Sequence, residues 1–265
     1  MSATNSVVAL MYHRIGKAHN DWERKYCVSP DRFAAQMAAL SACRMRAVNI
    51  DDFIAWLNGQ KQLPAGAFVI TFDDGFRGVL EHALPVLERY GWSATVFLVT
   101  DLIGKEDEWT RQDNPDGTTY PLLDHAEIAQ MARRGIRFHS HTCNHLSLPS
   151  LDDGALVDEL ARSRIALREE FGFEGSFLAY PFGHVDERVE RIAEAIGFRA
   201  AFSTRPGFNR RDTNPYHIRR LDVFGTDSPR MLLRKMRYGT NDGSLANAIR
   251  YYWRRLKSRL GNAWS

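Results

Sequence analysis

Residues 67–75 read Ala-Phe-Val-Ile-Thr-Phe-Asp-Asp-Gly. The first six are apolar or β-branched, and the run is short. That pattern fits a strand buried on both faces, as the strands of parallel sheets are. Two carboxylates then fall at the strand's C-terminal end, and Gly75 permits a tight turn after them. A helical pattern follows, with Val79, Leu80, Ala83, Leu84 and Leu87 facing inward and Gly91 ending it.

The same alternation extends in both directions. Val7–Tyr12 reads as a strand. Ser29 and Pro30 open a helix as N-cap and first helical residue, with Phe33, Met37 and Leu40 on one face. Arg46–Ile50 is expected to be a strand and Asp51–Leu57 a short helix. Ala94–Val99 is the next strand, and 101–121 a long irregular loop without period. Asp124 and Glu127 form a capping-box pattern for a helix to Arg134. Strand Ile136–His139, helix 152–171, strand Ser176–Tyr180, helix Glu187–Ile196 and strand Arg199–Ser203 complete the series. About seven such units predict a closed or nearly closed (β/α) barrel, with an open doubly wound sheet as the competing architecture. His13, Asp73-Asp74, His141 and Phe182 all fall just past a strand's end, the side on which barrels carry their chemistry.

Composition is that of a globular chain of 265 residues, 44% hydrophobic and 25% charged. A net charge of +3 is too weak to imply a nucleic-acid partner. Five basic residues lie at Arg250, Arg254, Arg255, Lys257 and Arg259; without them 30 basic residues face 32 acidic ones. Leu245, Ile249, Trp253, Leu256 and Leu260 fall at helical spacing in the same segment. The expected domains are therefore 1–240, catalytic, and 241–265, a basic amphipathic tail. The tail either contacts an anionic membrane peripherally or packs on the barrel or a second subunit. Three cysteines suggest no disulfide framework. No basic leader and no run of about 20 apolar residues appears, so a cytoplasmic location is expected. The sequence says nothing of oligomeric state.

Adjacent carboxylates at the end of an apolar strand are costly unless charge compensates them. Successive side chains of an extended segment diverge, so one of Asp73 and Asp74 can bind a metal while the other faces a water. An isolated Asp-Asp-Gly is more often a simple turn. Residues 141–145 read His-Thr-Cys-Asn-His, and histidines four apart lie on one side of a helical turn. Two histidines and a carboxylate suit zinc, with positions left for water and substrate; cobalt or nickel would also fit. Cys143 between them is expected to pack as a small apolar residue, and His139 to be structural or to support the ligands from behind.

The order TFDDG, HTCNH, AYPFG across roughly residues 7–224 resembles the polysaccharide deacetylase family, carbohydrate esterase family 4, the nodulation-type chitooligosaccharide deacetylase homology domain. The resemblance implies a distorted (β/α)7 barrel and a metal-dependent hydrolase removing acetyl groups from N-acetylated sugars of a poly- or oligosaccharide. It implies Asp73 as general base and Asp74, His141 and His145 as metal ligands. It places the oxyanion-binding N–H at Phe182, within Tyr180-Pro181-Phe182. The usual acid histidine near the end of the domain is missing, since His217 is a poor match. Leu10-Met11-Tyr12-His13-Arg14 instead is similar to the subgroup acting on poly-N-acetylglucosamine, which implies His13 as general acid. The arginine usual two residues before Pro181 is here Ala179. Arg219 or Arg220 could replace it beside Asp73, with Arg220 the expected one, and Asp222 is the residue expected to orient His13. Trp109 and Tyr120, in the loop, are left outside the site. Two other functions stay open. One is action on another C–N amide, a cyclic imide or ureide or a formylated sugar. The other is an inactive carbohydrate-binding protein, which predicts loss of a ligand or of Asp73.

Overall fold

The computed structural model describes residues 5–247. Ten parallel-paired strands form in chain order: β1 (Val8–Tyr12), β2 (Arg14–Ile15), β3 (Cys27–Val28), β4 (Arg46–Ala47), β5 (Ala67–Phe72), β6 (Thr95–Leu98), β7 (Arg137–Ser140), β8 (Phe177–Ala179), β9 (Ala200–Phe202) and β10 (Arg220–Asp222). The helices are α1 (Pro30–Ala42), α2 (Ile50–Leu57), α3 (Leu84–Arg89), α4 (His125–Arg133), α5 (Asp153–Phe171), α6 (Glu187–Ile196) and α7 (Pro229–Tyr238).

Seven strands pair in the order β10-β1-β5-β6-β7-β8-β9, and β4 adds to the start of β5. The ring nearly closes where β9 meets the chain entering β10. There Phe202 bridges Ile218, with Ser203 N–H donating to Ile218 C=O at 2.8 Å. This closure selects the barrel over the open sheet.

Alternation along each strand sorts the core. Leu10, Tyr12, Ile70, Phe72, Val96 and Leu98 pack outward with Phe33, Met37 and Leu40 of α1. Ala9, Val69, Phe97, Phe177, Ala179 and Phe202 pack inward together. Helix α2 sets Phe53 against this inner cluster, with ring centroids of Phe53 and Phe202 6.4 Å apart. The inward parity continues to the strands' C-terminal ends, through Asp73 after β5, His141 after β7 and Asp222 on β10. The barrel's upper layer is thus built by the periodicity that fills its middle.

The strand expected at 46–50 stops at Ala47, because Asn49 caps α2 by accepting from Asp52 N–H at 2.7 Å. The capping box of α4 is present with both reciprocal bonds. Before α3 the chain winds as a π-helix over Val79–Ala83, ahead of Pro85, which has no N–H to donate. No helix among the described residues is long and apolar enough to cross a membrane. Of the basic tail, residues 248–265 lie outside the described residues. The described part touches the barrel, since Asn241 hydrogen-bonds both the backbone N–H and the carboxylate of Asp222.

Candidate metal and catalytic site

At the barrel's C-terminal face a cleft of about 580 Å³ opens above the strand ends. His13, Asp73, Asp74, His141, His145, Tyr180, Phe182 and Asp222 all border it. Sequence positions 13 to 222 converge here because each follows or ends a strand of one parallel ring.

Asp74, His141 and His145 are buried, and one ligand atom of each lies within 4.8 Å of the others. Asp74 Oδ1 sits 3.4 Å from Nε2 of both histidines, yet it is buried without a hydrogen-bond partner. Bonds of roughly 2.0–2.1 Å to a tetrahedral zinc place neighbouring ligand atoms about 3.4 Å apart. The orphaned oxygen and its spacing therefore fit a metal's donor set. His141 Nδ1 lies 2.8 Å from the carbonyl of Ala179, which turns Nε2 toward the centre. Burial pushes His145 down to about 3, against the pull of Asp74, so its imidazole is neutral as a ligand must be. Burial opposes ionisation of Asp74, but the three surrounding histidines outweigh it and hold the carboxyl far below its ordinary range. His141 is raised because Asp74 and Asp73 outweigh its burial.

Asp73 is separate from this set. Arg220 grips it in a fork, Nη1 to Oδ1 at 2.6 Å and Nη2 to Oδ2 at 2.8 Å. Arg220 is fully buried, with Nε donating to Ser203 C=O at 3.1 Å and Nη1 to Thr71 Oγ1 at 3.2 Å. Burial would raise the Asp73 carboxyl, but Arg220, His141 and His13 hold it below its usual value. Asp73 Oδ2 stands 4.0 Å from His141 Nε2, beside the Asp74–His141–His145 cluster. Arg220 thus brings, from β10, a guanidinium to Asp73 that Ala179 does not supply.

His13 follows β1 and packs its ring on Tyr26, centroids 4.9 Å apart. β1 and β10 run in register with Met11 opposite Asp222, so His13 and Asp222 border the same corner of the cleft. Burial raises Asp222, while His13, Arg220 and Lys235 oppose that shift. Tyr180 is buried with its hydroxyl unpartnered, and Pro181 starts a single 3-10 turn. Phe182 takes φ 59° there, and its exposed ring meets His145 edge-on at 4.6 Å.

One local reading needs correction. Residues 141–145 are not a helical turn. The carbonyls of Thr142 and Cys143 accept from Thr100 and Asp101 N–H, both at 3.0 Å, and so are not available to helical bonding. Thr142 (φ 69°) and His145 (φ 58°) are left-handed, a conformation costing about 1–3 kcal/mol per non-glycine residue. Cys143 is buried, and His139 is packed between Phe97 and Phe177.

Trp109 is a neighbour that sequence reasoning left out. Its ring stacks on His145, centroids 4.6 Å and planes 28° apart. The signal was an aromatic in a loop above the barrel, which alone does not separate cleft wall from loop packing. Tyr120 does pack the loop: Arg14 lies 3.4 Å over its ring, and its hydroxyl donates to Glu23 at 2.5 Å.

A family model described as polysaccharide deacetylase matches residues 60–201. A Bacillus subtilis protein named putative polysaccharide deacetylase YxkH is 28% identical over 214 residues, covering 81% of this chain and 70% of that one. The Staphylococcus aureus poly-beta-1,6-N-acetyl-D-glucosamine N-deacetylase is 25% identical over 237 residues, 82% of this chain and 78% of its own. The solved structure of IcaB from Ammonifex degensii superposes with a TM-score of 0.72 at 26% identity, covering 83% of this chain and 93% of that one.

Proposed function

The chain belongs to the polysaccharide deacetylase family, and we propose that it hydrolyses the acetamide of N-acetylated sugars in a poly- or oligosaccharide, with a zinc ion held by Asp74, His141 and His145. The observation that carries this reading is the buried three-ligand cluster standing beside Asp73 in its arginine fork. Cobalt or nickel suits the same donors.

A divalent cation bound there supplies Lewis acidity to the reaction. Asp73, ionised by its neighbours, accepts the proton of the attacking water. Arg220 occupies one lone pair on each carboxylate oxygen and leaves the others to face the cleft. The backbone N–H of Phe182 donates to the oxygen that gains negative charge. His13 gives a proton to the departing amine nitrogen, and Asp222 keeps its ring in place. The water oxygen thus bonds to the acyl carbon as the C–N bond breaks, releasing acetate and a free amino sugar. Trp109 and Tyr26 offer ring faces on which a sugar can stack.

Acetate release from N-acetylglucosamine oligomers, with and without chelator, tests the reading. Activity that survives complete metal removal would sink it. Asp73→Asn is expected to abolish turnover and keep the metal; loss of the metal instead would reverse the aspartates' roles. Wild-type activity in His13→Ala would end its assignment as the acid.

A further inference from the structure

Helix α5 grips the His141–His145 loop at two points one turn apart. The first is Glu159, only 4% exposed. Both its oxygens are taken by one residue between the two histidines. The backbone N–H of Asn144 donates to Oε1, and Asn144 Nδ2 donates to Oε2 at 3.0 Å. A carboxylate is seldom buried this far unless its hydrogen bonds are met.

The second point is Ser163. Its hydroxyl donates to Leu160 C=O at 2.9 Å, so it accepts from the Ser140 hydroxyl at 2.6 Å. Ser140 Oγ in turn accepts the N–H of Thr142 at 3.0 Å. The chain of donors runs in one direction, from the loop to the helix. Thr142 and His145 are the two left-handed residues of this loop, and the grips fall at Thr142, directly after His141, and at Asn144, directly before His145.

We propose that Glu159, supported by Ser163, is a positioning residue that sets metal affinity by fixing the His141–His145 loop in its left-handed path before any metal arrives. The proposal rests on the metal reading above. A loop already held loses less freedom when the metal binds, and His145 Nε2 stays at its distance from Asp74.

Zinc affinity of the full chain, measured by competition with a chromophoric chelator, tests this without reference to turnover. Glu159→Ala is expected to weaken binding about tenfold to a hundredfold and, with the Asn144 donors left unmet, to melt lower even without metal. Glu159→Gln can still accept from Asn144 N–H, and a turned Asn144 amide can meet the new Nε2–H. It should therefore bind zinc almost as wild type does. Wild-type affinity in a folded Glu159→Ala protein overturns the proposal. A loss in Glu159→Gln as large as in Glu159→Ala also overturns it, by assigning the effect to charge. If Glu159→Ala does not fold, Ser163→Ala decides: weakened zinc binding supports the grip and unchanged binding ends it. A wild-type chain that binds no zinc would remove the metal reading itself, an outcome separate from equal binding by wild type and variants.

Discussion

The Asp73–Arg220 pair shows how one buried contact serves folding and chemistry together. Both side chains are almost wholly removed from water, so each needs the other. Arg220→Ala leaves a buried carboxylate unpaired and is expected to cost about 3–5 kcal/mol in urea unfolding. Arg220→Lys keeps a charge but loses the fork. With a weaker cation beside it, the Asp73 carboxyl should rise from its depressed value. The acidic limb of kcat/KM should then move to higher pH, and an unmoved limb would show that Arg220 does not tune the base. His139 carries a second residue-scale prediction. Burial, with Arg199 and Arg137 adding to it, holds its ring at about 3, and neither nitrogen has a hydrogen-bond partner. Its ordinary value near 6.5 is recovered on unfolding. The unfolded state therefore binds the extra proton below pH 6.5, and stability present above that pH is lost as pH falls toward 3. Relative to wild type, His139→Leu should gain about 2 kcal/mol between pH 7.5 and pH 5. Parallel stability curves for the two proteins over that range would exclude the effect.

At the scale of elements, the approach of β2 to the turn after β5 is governed by Gly78. A Cβ there would lie 2.0 Å from the Ile15 carbonyl oxygen, which belongs to backbone and cannot swing aside. Gly78→Ala should destabilise by about 1–3 kcal/mol or more. It should also disturb the cleft corner formed by His13, and a melting temperature equal to wild type would show that the two elements can separate freely. The same elements show what the sequence could reveal. Ala67–Phe72 was legible to the residue because six buried positions followed one another. The inward parity of Asp73 and His141 was implicit in that strand pattern. β10 was not delimited beforehand, since it is three residues long and two of them are charged. The His141–His145 loop misled for a physical reason. A spacing of four satisfies a helical turn, but here two carbonyls bond to residues 100 and 101, which no local pattern encodes. Trp109 had no periodicity to place it. Its position depends on a loop folding back over a site assembled from other strands.

Across the whole molecule, the residues that could hold a metal are separated by 67 positions from Asp74 to His141 but belong to one face of one ring. A cation joining them would link the turn after β5 to the loop after β7 and stabilise the folded barrel alone. Ligand bound only by the native state adds stability that grows with its concentration, about 2.7 kcal/mol at a hundredfold excess over Kd. For a domain of this size that corresponds to a rise of about 5–10 °C in Tm. Melting after chelation, and then with graded zinc, should show that rise. Asp74→Ala should remove the zinc dependence, while Asp73→Asn should keep it, because Asp73 stands outside the ligand set and is held by Arg220. A Tm that ignores zinc in the wild-type chain would mean that the three side chains meet without holding a metal. A zinc response lost equally in both variants would place Asp73 among the ligands and require another group to accept the water's proton.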